Sequence, residues 1–179
     1  MTTILLARHG ETDWNAEGRV QGHTDRPLNE AGVAQGLALA DELSGERLDA
    51  VYASDLTRAL DTARAVAEPR GLSVIPVPDL RERNFGTWEG LLDTEILQRF
   101  PQAKTGPWGD DETQEQLAER VMAALFRIAE NHPDGQVLVV SHGGPLRAAL
   151  RRCGISSERV ANCQVARLTV GDGILRRLD

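Results

Sequence analysis

Cysteine and lysine are almost missing from this chain. Its 179 residues hold two cysteines, Cys153 and Cys163, too few for a disulfide framework, so both are expected to be reduced, small and buried. Of the 20 basic residues only Lys104 is lysine, which reads as a compositional bias of the coding sequence. No apolar run approaches the ~20 residues a membrane-spanning helix needs. The first apolar stretch meets Arg8 and His9 too early to serve as a signal peptide, so a cytoplasmic chain is expected. Net positive charge is lacking as well. A formal charge of −7 argues against general affinity for nucleic acid or anionic membrane, while leaving room for a local basic pocket. Repeats, low-complexity tracts and linkers are absent. The rest is ordinary globular composition, 41% apolar and 26% charged, with enough length for a real core in one domain over residues 1–179.

Apolar patterning gives the order of elements. Ile4 to Ala7 reads as a buried strand. Asn29 is placed to cap a helix reaching about Leu43, with Val33, Leu37, Ala40 and Leu43 as its apolar face. Leu48 to Ala53 reads as a second strand. Ser54 or Asp55 then caps a helix that turns Leu56, Ala59, Leu60, Ala63 and Val66 inward and ends before Pro69. Leu72 to Val77, punctuated by prolines, fits a sheet edge. Leu80 to Gly90 has no period and reads as a loop. Two helices follow, Asp93 to Phe100 and Thr113 to Asn131. The Val-Leu-Val-Val run of Gln136 to Ser141 is a strand, and Gly143-Gly144-Pro145 opens a helix after it. Val165 to Val170 and Ile174 to Leu178 form a closing hairpin. Strands alternating with helices predict an α/β domain, with helices on both faces of a mixed sheet.

Chemistry-bearing residues fall where these strands end, which is where open α/β sheets place ligands. The first strand runs into Arg8-His9-Gly10, and the second is followed by the helix carrying Arg58. The third leads to Arg81-Glu82-Arg83, and the Val-Leu-Val-Val strand ends at Ser141-His142-Gly143-Gly144. A neutral imidazole is a good nucleophile towards phosphorus. Guanidinium groups match phosphate oxygens as a fork. A second histidine can donate to an equatorial oxygen, and glycines at a helix start let backbone N–H groups approach an anion. A carboxyl such as Glu82 can protonate a leaving oxygen. The set amounts to a phosphoryl-transfer apparatus without a metal.

The segment Leu6-Ala7-Arg8-His9-Gly10-Glu11-Thr12, with Trp14 and Asn15, resembles the defining motif of the histidine phosphatase superfamily, also called phosphoglycerate mutase-like. The resemblance continues through Gln21-Gly22, Asp25 to Leu28, Ser54 to Ala59, Leu80 to Gly86, Trp88-Glu89-Gly90 and Ser141-His142-Gly143, in the family's order. It implies a three-layer α/β/α sandwich with a mixed, mostly parallel sheet. It also implies phosphatase activity on a small phosphorylated metabolite, with no metal and no cofactor. His9 would be the phosphorylated nucleophile, Arg8, Arg58 and His142 the phosphoryl-binding groups, and Glu82 the proton donor and acceptor. Asn15, Gln21 and Gly22 match positions that line the substrate pocket, and Gly143 joins them. Glu11 would orient local structure. The cofactor-dependent mutases of the family are longer, with added basic residues after the Glu loop. Here Leu91 to Glu112 is short and acidic, with only Arg99 and Lys104 as cations, which favours a phosphatase over the mutase alternative. Pro107 to Asp111 departs from the family's usual element at that place.

Plainer readings compete residue by residue. Arg58, alone, would suit a solvated helix position. Glu82, Arg81 and Arg83 would suit surface ion pairs, and His142 a hydrogen-bonded structural histidine. His23 is expected at the surface and His132 in a structural role, with Asp25 and Asp55 as turn and cap residues. A metal-dependent hydrolase using His9, His23 and His142 is a competing class, opposed by the fixed charge of Arg8 beside His9. A non-catalytic phosphate-binding module is another.

Overall fold

A computed structural model describes residues 1–104, 108–109, 111–155 and 159–178. The first apolar run becomes β1 (Thr2–Arg8), in which Ile4 to Ala7 are fully buried. A strand buried on both faces needs cover on both. The chain supplies it through α1 (Asp13–Glu17), α2 (Glu30–Glu42), β2 (Ala50–Ala53), α3 (Thr57–Ala67), β3 (Val74–Pro76), α4 (Asp93–Arg99), α5 (Gln114–Glu130), β4 (Gln136–Ser141), α6 (Gly143–Arg152), β5 (Val165–Gly171) and β6 (Ile174–Arg177). The six strands form one sheet in the order β3-β2-β4-β1-β5-β6. β3, β2, β4 and β1 are parallel neighbours, β5 pairs antiparallel with β1, and β6 with β5. The closing hairpin turns on Asp172 and Gly173, both at positive φ, the twist a two-residue hairpin prefers.

Alternate residues of each strand point to opposite layers. Leu5, Ala7, Val51, Ala53, Leu138 and Val140 pack against α2 and α3 through Leu39, Leu43, Ala63 and Val66. Ile4, Leu6, Tyr52, Val137 and Val139 face α5 and α6 through Val121, Leu125, Leu146 and Ala149. Each buried Leu of this kind contributes ~1.5–3 kcal/mol. A smaller cluster of Trp88, Ile96 and Ala103, flanked by Phe100 and Trp108, supports the segment after the Glu82 loop. Among the described residues no helix is long and apolar enough to cross a membrane.

The layers and the mixed sheet match expectation, and β3 lies at the edge as its prolines require. Several local readings are corrected. Val33 and Leu37 on α2 are exposed, at 52% and 58%; the inward stripe is Gly32, Gly36, Leu39 and Leu43. Small residues there let α2 approach closely, a stripe that counting apolar side chains overlooks. Neither Ser54 nor Asp55 caps α3. Its first N–H, on Thr57, is taken by Asp25 Oδ1 at 2.9 Å, 32 residues away in sequence. Asp55 instead accepts two bonds from Arg81, at 2.7 and 2.6 Å. Cys153 and Cys163 are free and half-buried. His132 is structural as expected, its Nε2 paired with the Tyr52 hydroxyl at 2.8 Å.

Candidate active site

Parallel pairing in register assembles the site. Arg8 stands opposite Ser141 at the ends of β1 and β4, so the next residues, His9 and His142, lie side by side with ring centroids 5.0 Å apart. The His9 N–H bonds the Ser141 carbonyl at 2.9 Å and fixes that step. β2 pairs with the other side of β4, and α3 starts at the same end of the sheet, bringing Arg58 in from its second residue. Ser141 Oγ donates to the Leu80 carbonyl at 2.7 Å, which holds the chain leading to Glu82 against the same edge.

The hydrogen bonds set both tautomers. His9 Nδ1 lies 2.6 Å from the Gly10 carbonyl, which can only accept, so Nδ1 carries the proton and Nε2 keeps its lone pair. Arg58 Nε–H donates to His142 Nδ1 at 3.3 Å, so His142 carries its proton on Nε2. Burial, reinforced by the Arg58 and Arg8 charges, holds both imidazoles neutral, well below their ordinary pKa. His9 thus presents a neutral imidazole with a free Nε2 lone pair, and His142 a neutral N–H donor, at physiological pH.

Arg58 is fully buried, which overturns the solvated-helix reading. Its Nη1 and Nη2 donate to the carbonyls of Thr24 and Gly22 at 3.0 and 2.8 Å, so no carboxylate neutralises it directly. Burial pushes the guanidinium down to about 10, against the opposing pull of Glu82, Asp25 and Glu89, and it stays charged at neutral pH. Arg8 is anchored by Nη1 on the Val160 carbonyl at 2.6 Å. Arg8 Nε and His142 Nε2 are buried donors that find no acceptor among the described residues. A buried donor without an acceptor costs ~1–3 kcal/mol, so orphaned donors beside a neutral imidazole point to an anion as the missing acceptor.

Glu82 is seated across the start of α6. Its Oε2 accepts from the Gly144 N–H at 3.0 Å and its Oε1 from the Arg83 N–H at 2.8 Å. A Cβ on Gly144 would stand 2.1 Å from Oε1, so the glycine is what leaves room for the carboxylate in this seat. The ion-pair reading fails for Glu82, which forms no salt bridge among those described. It also fails for Arg83, which is 5% exposed and donates to the Glu112 carbonyl at 2.7 Å. For Arg81 it holds.

Of the expected substrate-lining residues, Gln21 and Gly22 occupy the loop beside Arg58 while Asn15 lies in α1 and Gly143 in α6, and several are committed to structure. Asn15 completes a capping box with Thr12 on α1, an element the sequence pattern missed. Gln21 is buried, its Oε1 without a partner among the described residues. Gly22, at φ 55, gives its carbonyl to Arg58, and a Cβ there would strike Glu89 Oε1 at 1.9 Å. Gly143 opens α6 directly beside the Arg147 guanidinium. His23 is half-buried, its Nε2 on the Glu82 carbonyl at 2.9 Å, so it braces the Glu82 loop where a surface place was expected. Glu11 accepts from Asn29 Nδ2 and orients the start of α2.

Three contributors went unread. Asn162 Nδ2 donates to the His9 carbonyl at 2.9 Å from the loop before β5. Glu89 accepts from the N–H groups of His23, Thr24 and Phe85 and from Thr24 Oγ1, tying the Arg58-holding loop to the Glu82 loop. Arg147, one turn along α6, borders the site. Its sequence signal was its place just after His142 in a helix begun at a strand end. The segment from Leu91 to Glu112 lies partly outside the described residues. Of its carboxylates, Glu112 is held by Arg120 at 2.6 and 2.8 Å, and Glu95 caps α4. Among the described residues no three His, Cys, Asp or Glu side chains gather as a metal site.

A model of the histidine phosphatase superfamily (branch 1) matches residues 4–174. The chain is 45% identical over 163 residues to the metal-independent phosphoserine phosphatase of Arabidopsis thaliana, covering 85% of this chain and 68% of that protein. A mycobacterial glucosyl-3-phosphoglycerate phosphatase solved with VO3 superposes with a TM-score of 0.87 at 27% identity, over 98% of this chain and 96% of that one. A phosphoserine phosphatase of Entamoeba histolytica, solved with phosphoserine, gives 0.85 at 25% identity, over 100% and 96%. Since the family's pattern runs through every strand that builds the paired-histidine site, the chain belongs to the histidine phosphatase superfamily.

Proposed function

We propose that this histidine phosphatase hydrolyses small phosphomonoesters through a phosphohistidine on His9. The observation that carries the mechanism is the pair of orphaned buried donors, Arg8 Nε and His142 Nε2, beside a neutral His9. Arg8, Arg58 and His142 Nε2–H hold the phosphoryl oxygens. The His9 Nε2 lone pair forms the N–P bond as the bond to the leaving oxygen breaks, and Glu82 passes a proton to that oxygen, releasing the alcohol. Water then gives its proton to Glu82 as its oxygen bonds phosphorus and the N–P bond breaks. Inorganic phosphate and neutral His9 are restored. Fixed donors aimed at charge that develops in transfer act through preorganisation, commonly the largest catalytic contribution. Gln21, Gly22 and Gly143 line the entrance, and Asn15 supports it through Asn162. Relatives named for phosphoserine support a small-metabolite substrate.

His9→Ala is expected to abolish turnover, and wild-type protein quenched during turnover should carry acid-labile, base-stable phosphate. Substantial activity in His9→Ala would refute the covalent route.

A further inference from the structure

Arg147 stands out among the arginines as the one that is half-buried yet without a partner among the described residues. It is half-buried on α6, and among the described residues no hydrogen bond or ion pair engages its guanidinium. Arg81 and Arg120, by contrast, are each held by a carboxylate. A Cβ on Gly143 would lie 3.1 Å from Arg147 Nη1 and 3.8 Å from Arg8 Nε, so this free guanidinium sits directly beside the phosphoryl-binding group. It also faces a cavity of about 230 Å³ lined by Glu82, Arg83, Trp108, Gly144 and Arg151. Glu82 opens into this cavity, so the cavity adjoins the group that protonates the leaving oxygen. Among the described residues Glu82 is its one carboxylate, and both its oxygens already accept backbone N–H groups. The Arg83 guanidinium lies over the Phe85 ring and on the Glu112 carbonyl, which keeps its charge unneutralised. A compartment beside Glu82 whose described charged lining is three guanidiniums to one carboxylate suits an anionic leaving group better than a neutral one.

We infer that Arg147 binds a carboxylate on the leaving group, so that the substrates are phosphomonoesters of small hydroxy acids or hydroxy amino acids. The inference rests on the phosphatase reading for its kinetic arm. A planar carboxylate meets the planar guanidinium through two parallel N–H···O bonds, geometry that a hydroxymethyl group cannot reproduce. The volume admits a leaving group of only a few carbon atoms, about eight waters' worth of space.

Two substrate pairs differ only at that group: 3-phosphoglycerate against glycerol 3-phosphate, and phosphoserine against phosphoethanolamine. The wild-type protein should prefer the acid of each pair. In Arg147→Met the ratio of kcat/KM within each pair should fall by about 10–100-fold, the scale of a charge-assisted hydrogen bond. Arg147→Lys should restore part of it. Calorimetric affinities of the same four compounds for His9→Ala, with and without Arg147→Met, give the ratio without turnover. If no compound is hydrolysed yet the binding ratio falls, the phosphatase reading fails and the Arg147 assignment stands. A ratio unchanged within twofold, or equal losses on acid and neutral partners, would overturn the assignment. Melting temperatures confirm that the variants fold.

Discussion

A methyl group on Gly144 tests the role of Glu82 without touching the carboxyl itself. The added Cβ would stand 2.1 Å from Glu82 Oε1 and 3.1 Å from Leu117 Cδ2, whereas ordinary contact begins at 3.4 Å. Leu117 is fixed in the core, so the carboxylate must retreat by more than an ångström. Misplacing a reacting group by ~1 Å costs ~10²-fold, within the ~10²–10⁴-fold that a general acid supplies. Gly144→Ala should therefore lower kcat/KM for an alkyl phosphate such as glycerol phosphate by about 10²-fold. A nitrophenolate leaves without being protonated, so p-nitrophenyl phosphate should lose less than about tenfold. Alanine favours helix over glycine by ~0.8–1 kcal/mol, which offsets part of the clash and keeps the melting temperature within a few degrees. Glu82→Gln should show the same split between substrates, and combining the two changes should cost little more than Glu82→Gln alone. Equal losses on both substrates, or fully additive losses, would refute the placement of Glu82 as the acid.

The neutral histidines give a pH signature. Since their folded pKa values lie well below 6.5, the unfolded chain takes up protons first as pH falls, and stability present above about 6.5 is lost below it. The slope should approach ~1.4 kcal/mol per pH unit for each histidine, so His142→Asn should roughly halve the decline in melting temperature between pH 6.5 and 5, while kcat/KM of the wild type shows no acid limb near 6.5. A wild-type acid limb centred on 6.5 would mean that His9 is solvated. Glu89→Gln replaces an acceptor with a donor inside a four-bond cluster. It should cost ~1–3 kcal/mol, or ~2–12 °C in melting temperature, and raise KM more than it lowers kcat, because the carbonyls holding Arg58 lose their support. Unchanged KM would leave Glu89 a merely structural residue.

The layered fold was legible because β1 and β4 are buried on both faces and spell themselves as unbroken apolar runs. Strand-end placement then located His9, Arg58, Glu82 and His142, since parallel register turns positions far apart in sequence into neighbours. Legibility failed where packing uses backbone and small atoms. The inward face of α2 is built on Gly32 and Gly36, which apolar counting cannot see. The α3 cap comes from Asp25 across the fold, where local rules look only one or two residues upstream. Asn162 and Glu89 act on the site through backbone groups, and a contact with another residue's carbonyl or N–H leaves no pattern in sequence.

The arginines show why roles need partners as well as positions. Sequence gives each the same charge, and strand-end placement cannot separate Arg81 from Arg83. In the fold, Arg81 and Arg120 meet carboxylates, and a guanidinium neutralised at contact distance has little attraction left for a ligand. Arg8 and Arg58 are held by carbonyls, which fix the fork while leaving its charge whole. Carbonyl anchoring alone is not enough: Arg70 bonds the carbonyls of Val66 and Leu43, where it closes the end of α3. What sets Arg8 and Arg58 apart is their place beside two neutral imidazoles, with Arg58 fully buried and the Arg8 Nε out of reach of water. A buried guanidinium without a carboxylate partner is costly unless an anion arrives, and under the proposed function that cost would favour a phosphoryl group over water in this seat.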